Sequence, residues 1–382
     1  MQKRGLSTVI TTLIMILLVL VAIGIIWVVV RGIIEKNSEQ ITINPLINNF
    51  KIEEAKIGLL KAKIKLTRTQ GDANLTSLKF IFSDGVKTYT YEEKNPQLDE
   101  LRTKTFEIPL EGIGEIKTIY IIPVFGKTNG LEIKKEISAS DFDYSIEKKN
   151  GLVAYYKFEN DAKDSSGNGN DGALYESPIW AAQGVSGSAL DFNQPAFDYA
   201  RVQVPHKTML NLGSEATISV WTKISSYPLY DPVTNINWAP IIIKSSSNFN
   251  FPTFPTYELG IIKNDKYRIN SQWGGNNRFV EVDGPNPTTP PIPLNEWYMI
   301  TTTFKTDGTT ATAKMYIDGK LSSTRQQNSA EAIPTTTDPL YIGGRPTTLT
   351  YANDFDGILD ELVIFNRSLT DSEIQQIYNS QK

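Results

Sequence analysis

Residues Phe355–Tyr378 read FDGILDELVIFNRSLTDSEIQQIY. Gly357 onward is rich in branched apolar residues, as a buried strand requires, and the run stops at Asn366-Arg367. Thr370 stands three residues before Glu373, the spacing of a capping box, so a helix starts there. Ile374, Ile377 and Tyr378 fall at i, i+3 and i+4, which gives that helix one apolar side to lay on a sheet. Within the strand, Asp360 and Glu361 are adjacent, so strict alternation predicts that they point to opposite faces.

Working outward from this segment, residues 151–382 carry short strand patterns separated by Gly, Pro, Asn and Asp. They include Leu152–Glu159 (LVAYYKFE), Ala200–Val204 (ARVQV), Thr217–Lys223 (TISVWTK), Trp297–Phe304 (WYMITTTF), Ala313–Leu321 (AKMYIDGKL) and Leu340–Gly344 (LYIGG). That pattern predicts one two-sheet jelly roll. In the Thr217 strand, Ile218 and Val220 take one face and Trp221 the other, so both faces are expected to be covered. The segment Tyr227–Tyr257 holds Tyr230, Trp238, Phe249, Phe251 and Phe254 among prolines and reads as an irregular aromatic insertion. Exposed aromatics in loops mark binding surfaces. With the loop Trp273–Arg278 they provide candidate sugar-binding residues: Tyr230, Trp238, Phe251, Trp273, Asn276 and Arg278. The alternative is that these aromatics plug the rim of the sandwich; Trp180 and Trp221 are expected in the core.

The ordered set LVAYYKFE, SSGNGNDG, GSALDF, TISVWTK, MYIDGKL and FDGILDELVIFNRSLTDSEIQQIY resembles the concanavalin A-like, laminin G-like lectin family over Gly151–Lys382. The resemblance implies a lectin-like binding role. It also implies a structural Ca²⁺ between the first loop and the last strand, with Glu159, Asp164, Asp171 and Asp360 as its carboxylates. The Asn, Asp and Gly of that loop equally suit turn formation alone. Glucanases of the superfamily use the pattern glutamate-x-aspartate-x-x-glutamate, which is absent here, so binding rather than hydrolysis is expected and no catalytic residue is assigned.

Upstream, residues 39–149 read as a small β-sandwich. Ala55–Leu66 contains the alternation Ala62-Lys63-Ile64-Lys65-Leu66, and Ser83-Asp84-Gly85 between Leu78–Phe82 and Val86–Tyr91 signals a hairpin. Lys148-Lys149-Asn150 is the only linker before residues 150–382, which predicts a nearly rigid connection.

At the other end, Leu6–Val30 is a run of 25 residues without a charge. As a helix it would be about 38 Å long, enough to cross a bilayer. Lys3 and Arg4 before it favour a cytoplasmic N-terminus, placing the remainder outside the cell. The leader MQKRG and the helix start LSTVITTLI resemble the class III signal of archaeal type IV pilins and archaellins. That resemblance implies a leader 1–5 cut between Gly5 and Leu6, and a helix 6–38 that spans a membrane or enters a pilus core with homopolymer or pilin partners. Bacterial pilins have glutamate at the fifth mature position, where this chain has Ile10. A plain single-span anchor fits the same run.

Composition narrows the function further. The chain of 382 residues has a net charge of −4 with interspersed signs, which argues against nucleic acid. It has no cysteine and one histidine, His206, so disulfides are excluded and zinc or histidine catalysis is disfavoured. Asn74-Leu75-Thr76 and Asn366-Arg367-Ser368 are glycosylation sequons. The expected protein is mainly β, surface-exposed and archaeal: a pilin-like adhesin, or an anchored binding protein, whose lectin-like domain meets glycans or cell-surface glycoproteins, with a tethered glycan hydrolase as the third and least favoured reading.

Overall fold

The computed structural model describes residues 49–382 apart from 72, 177, 193–199, 229–236, 245–255, 264–266, 275–279, 285–292, 329–330 and 345–354. The leader with Gly5 and Leu6, the helix 6–38, and Tyr230, Phe251, Asn276 and Arg278 lie outside the described residues. Among the described residues no helix is long and apolar enough to cross a membrane.

The first sandwich contains β1 (Asn49–Ile57), β2 (Lys61–Gln70), β3 (Ser77–Ser83), β4 (Thr88–Lys94), β5 (Thr103–Pro109), β6 (Thr118–Phe125), β7 (Thr128–Asn129) and β8 (Ile133–Glu136). One sheet runs β1-β2-β5; the other runs β4-β3-β6-β7, with β8 also on β6. Alternation drives the packing: Leu78, Phe80 and Phe82 of β3 face Ala62, Ile64 and Leu66 of β2 across one apolar core. The expected hairpin forms, with Asp84 Oδ1 accepting from Val86 N (2.8 Å) and Lys87 N (2.6 Å) and Gly85 at φ +92°.

Ala55–Leu66 is not continuous. It folds back at Gly58–Leu60 into the β1–β2 pair. The cause lies far along the chain: Glu147 Oε1 accepts from Leu60 N and Lys61 N, both at 3.0 Å. Glu147 belongs to a 3₁₀ helix, Tyr144–Asn150, so the three residues read as a linker are part of a folded turn docked on the first sandwich.

The jelly roll follows with β9 (Leu152–Tyr156), β10 (Ala173–Tyr175), β11 (Ile179–Ala181), β12 (Ala189–Asp191), β13 (Arg201–Val204), β14 (Glu215–Ile224), β15 (Asn237–Lys244), β16 (Tyr257–Lys263), β17 (Tyr267–Trp273), β18 (Val280–Gly284), β19 (Trp297–Thr306), β20 (Thr310–Ile317), β21 (Lys320–Asn328), β22 (Leu340–Ile342) and β23 (Gly357–Phe365), closed by helix α1 (Asp371–Gln381). A seven-stranded sheet, β10-β13-β22-β15-β16-β17-β18, packs on an eight-stranded sheet, β11-β12-β23-β14-β19-β20-β21 with β9 on β23. The segment Tyr227–Tyr257 is therefore not wholly irregular. Its apolar run Ile241–Ile243 makes β15 a central strand, and Pro240 sits at a register shift where a missing N–H is tolerated.

Ile218 and Val220 of β14 enter the core between the sheets, whereas Trp221 enters a second core on the other side. There Trp221, Met299, Val363 and Phe365 meet Ile374 and Ile377 of α1, together with Leu59 and Leu60 of the first sandwich. The capping box forms as read, with Glu373 N donating to Thr370 Oγ1 (3.3 Å) and Thr370 N donating to Glu373 Oε2 (2.9 Å). Gln376 of α1 reaches the first sandwich by a paired contact, accepting from Ile113 N and donating to Ile113 O, each at 3.3 Å. One apolar layer thus holds helix, jelly roll and first sandwich together.

Candidate functional site

The outer face of the seven-stranded sheet follows from parity. Tyr257, Leu259 and Ile261 of β16 point into the core, so Glu258 and Gly260 point out. Glu258 pairs with Gln272 and Gly260 with Asn270 on β17, which places Glu258, Gln272 and Asn270 together on the outer side. All three are nearly withdrawn from solvent. Gln272 Nε2 is buried and has no hydrogen-bond partner. Trp238 of β15 is half-buried on the same side. Its indole lies across Gly260: a Cβ there would stand 3.1 Å from Trp238 Nε1. An indole beside a carboxylate and two amides is the chemistry that holds sugar rings and their hydroxyls.

Trp273, expected as a loop aromatic, has the opposite parity and is a core residue at 0 % exposure. Its ring stacks on Tyr257 (6.0 Å) and Phe304 (5.8 Å), and its indole N–H donates to Thr302 Oγ1 (3.2 Å). Of the six expected sugar-binding residues, Trp238 alone is placed on the outer face among the described residues. Glu258, Asn270 and Gln272 were not anticipated, although the alternations YELGI and NSQW contain them.

The four carboxylates expected to share a cation are divided. Asp164 organises the first loop by accepting from Tyr155 N (3.0 Å), Ser166 N (2.9 Å) and Asn170 N (2.9 Å), while Asp171 accepts from Asp164 N (2.9 Å). Glu159 and Asp360 instead hold the turn Gly184–Ser188. Ser188 N donates to Glu159 Oε2 (3.0 Å), and Val185 N (2.7 Å) and Ser186 N (3.2 Å) donate to Asp360 Oδ2. Gly187 sits at φ +68° with the Glu159 carboxylate where a side chain would stand, so only glycine suits that position. Among the described residues no group of three or more His, Cys, Asp or Glu could hold a metal ion. Each of the four carboxylates accepts from at least one backbone amide.

Asp360 and Glu361 do not point to opposite faces. Leu359 and Leu362 both enter the inter-sheet core, which leaves the two acids together on the outer side. A bulge does this: Ser219 pairs with Val363 and Trp221 with Asp360, so Val220 alone opposes two residues. Glu361 takes the left-handed conformation, φ +50°. Burial raises the Asp360 carboxyl to about 7 and the Glu361 carboxyl to about 8. The sequons Asn74 and Asn366 are both exposed.

Residues 197–375 match the sequence model of a family described as the concanavalin A-like lectin/glucanases superfamily. The match lies within the jelly roll. No curated protein matches the chain. Among solved structures, the chain resembles the binding domain of botulinum neurotoxin DC in complex with SialylT at 16% identity, covering 61% of this chain and 52% of that one with a TM-score of 0.42. It resembles a botulinum neurotoxin type C structure, whose title describes interaction with two ganglioside molecules, at 16% identity, covering 62% and 53% with a TM-score of 0.44. It also resembles Trypanosoma rangeli sialidase at 13% identity, covering 84% and 51% with a TM-score of 0.41. The chain thus spans about half the length of these solved chains. The likenesses are too loose to carry an argument about activity.

Proposed function

We propose that this protein is a surface-displayed, pilin-like adhesin whose jelly roll binds glycans on the outer face of its seven-stranded sheet. One observation carries the binding site: Trp238, Glu258, Asn270 and Gln272 converge on one face of three adjacent strands, with Gln272 Nε2 buried and unpartnered. A sugar hydroxyl satisfies that donor, and the indole offers an apolar surface for ring C–H groups. The lectin-type family match over residues 197–375 supports the same reading. Display outside the cell rests on the uncharged run Leu6–Val30 behind Lys3 and Arg4.

A glycan-array screen of the full chain tests the binding site. Binding that falls at least about tenfold in Trp238→Ala and Gln272→Ala supports it. Array binding that both variants retain in full refutes it. The mass of the mature N-terminus tests the pilin assignment, since cleavage after Gly5 predicts a chain starting at Leu6. An intact leader favours a second reading, a permanent single-span anchor, with which Ile10 at the fifth mature position agrees.

A further inference from the structure

A second cleft, of about 560 Å³, lies where the first sandwich, the 3₁₀ helix and α1 meet the bulge of β23. Its size is that of a ligand pocket, far larger than a single water requires. It shares no residue with the outer face of the seven-stranded sheet.

Two buried polar atoms in its lining are unpartnered. Glu361, 1 % exposed, uses Oε2 to accept the Tyr155 hydroxyl, and its Oε1 has no partner. Gln381, 5 % exposed, uses Oε1 to accept from Trp221 Nε1 (3.2 Å), and its Nε2, on the side of the Tyr155 hydroxyl, makes no hydrogen bond of ordinary geometry. Folded proteins seldom leave such atoms unpaired, because each one costs stability. Glu361 sits at the β23 bulge in the left-handed region, φ +50°, which sets the direction of its side chain.

The chemistry of the missing partner is narrow. An ammonium cannot accept from Gln381 Nε2. A carboxylate suits only the neutral form of Glu361, because it cannot donate to the ionised one. A hydroxyl accepts from the amide, and it donates to Glu361 when that group is ionised or accepts from it when neutral. Tyr144, half-buried in the wall and set edge-on to Tyr155 at 4.7 Å, adds an aromatic surface for C–H groups. We infer that this junction cleft binds a sugar unit, with one ring hydroxyl between Glu361 Oε1 and Gln381 Nε2 and its apolar edge against Tyr144.

The test uses the full chain in a zwitterionic, sugar-free detergent, so that the detergent does not compete. Methyl β-D-glucoside, methyl β-D-galactoside and methyl α-D-mannoside are titrated separately by saturation-transfer NMR, with glycerol as a polyol control. The expected result is binding of at least one glycoside that weakens at least about tenfold in Glu361→Ala and in Gln381→Ala and persists in Trp238→Ala. Ser186→Phe, at the half-exposed mouth of the cleft, is expected to block binding without touching either buried group, and it decides the matter if the alanine variants unfold by circular dichroism. Absence of binding by all three glycosides overturns the proposal, leaving a site for water only. Equal binding of glycerol overturns the sugar assignment. Binding lost only in Trp238→Ala overturns the junction cleft while leaving the sheet-face reading intact.

Discussion

The two outward faces of the jelly roll are built from the same strand geometry but carry different side chains. On the eight-stranded sheet, Trp221, Met299, Val363 and Phe365 lie under Ile374 and Ile377 of α1 and against Leu59 and Leu60. On the seven-stranded sheet the corresponding face carries Trp238, Glu258, Asn270 and Gln272. Apolar residues outside the main core commit the first face to assembly. Polar residues with an aromatic beside them make the second face the one proposed for recognition. The difference teaches that the side chains on a face, rather than the fold, set what that face can contact.

The comparison breaks first at its apolar side. Ile377→Ala should cost about 2–5 kcal/mol, because a buried branched side chain leaves a cavity between α1 and the sheet. Urea unfolding should show both sandwiches losing stability, whereas a loss confined to the jelly roll would mean that the shared layer does not couple them.

The pH dependence comes next. Glu361 is raised from 4.5 to about 8 and Asp360 from 3.8 to about 7. As pH rises through the ordinary carboxylate range, the unfolded chain releases these protons while the folded chain keeps them. Their contribution is therefore most favourable below pH ~4 and declines until about pH 8. A fall of a few kcal/mol is expected, since a tenfold change in proton affinity is worth about 1.4 kcal/mol. Urea midpoints of the parent and Glu361→Gln at about pH 5 and pH 8 check this. The variant should show the flatter profile.

Glu147→Ala should cost roughly 1–3 kcal/mol by stripping buried Leu60 N and Lys61 N of their acceptor. Limited proteolysis should then cut near Tyr144–Asn150, where the parent resists. On the polar side, Trp238→Ala and Gln272→Ala should lower glycan affinity while changing stability by less than about 1 kcal/mol. A large loss of stability in Gln272→Ala would recast that row as structural and erase the contrast between the faces.

Legibility followed the range of the interactions. The closing segment was readable because its signals are local: the Thr370–Glu373 box and the Ile374/Ile377 spacing act within one helix. The division of Ile218 and Val220 from Trp221 was readable from alternation alone. Two readings differ from the structure for one shared reason. Trp273 reads as a loop residue because the strand ending on it is recognised only through pairing with β16 and β18. Asp360 and Glu361 read as residues of opposite faces because a bulge is set by the partner strand. The acids around the first loop suit either a cation or turn formation in the sequence, and in the fold they accept from backbone amides of two separate turns.

By itself, then, the sequence determined that this chain is mainly β, free of disulfides, headed by an uncharged apolar run and closed by a capped amphipathic helix. Those properties depend on composition and on periods of two and 3.6 residues. Tertiary structure alone decided that Glu147 folds a hairpin 87 residues before it, that two neighbouring acids share a face, and that an unpaired acceptor and an unpaired donor line one cleft. Each of those needs contacts between residues distant in the chain, which no local pattern specifies.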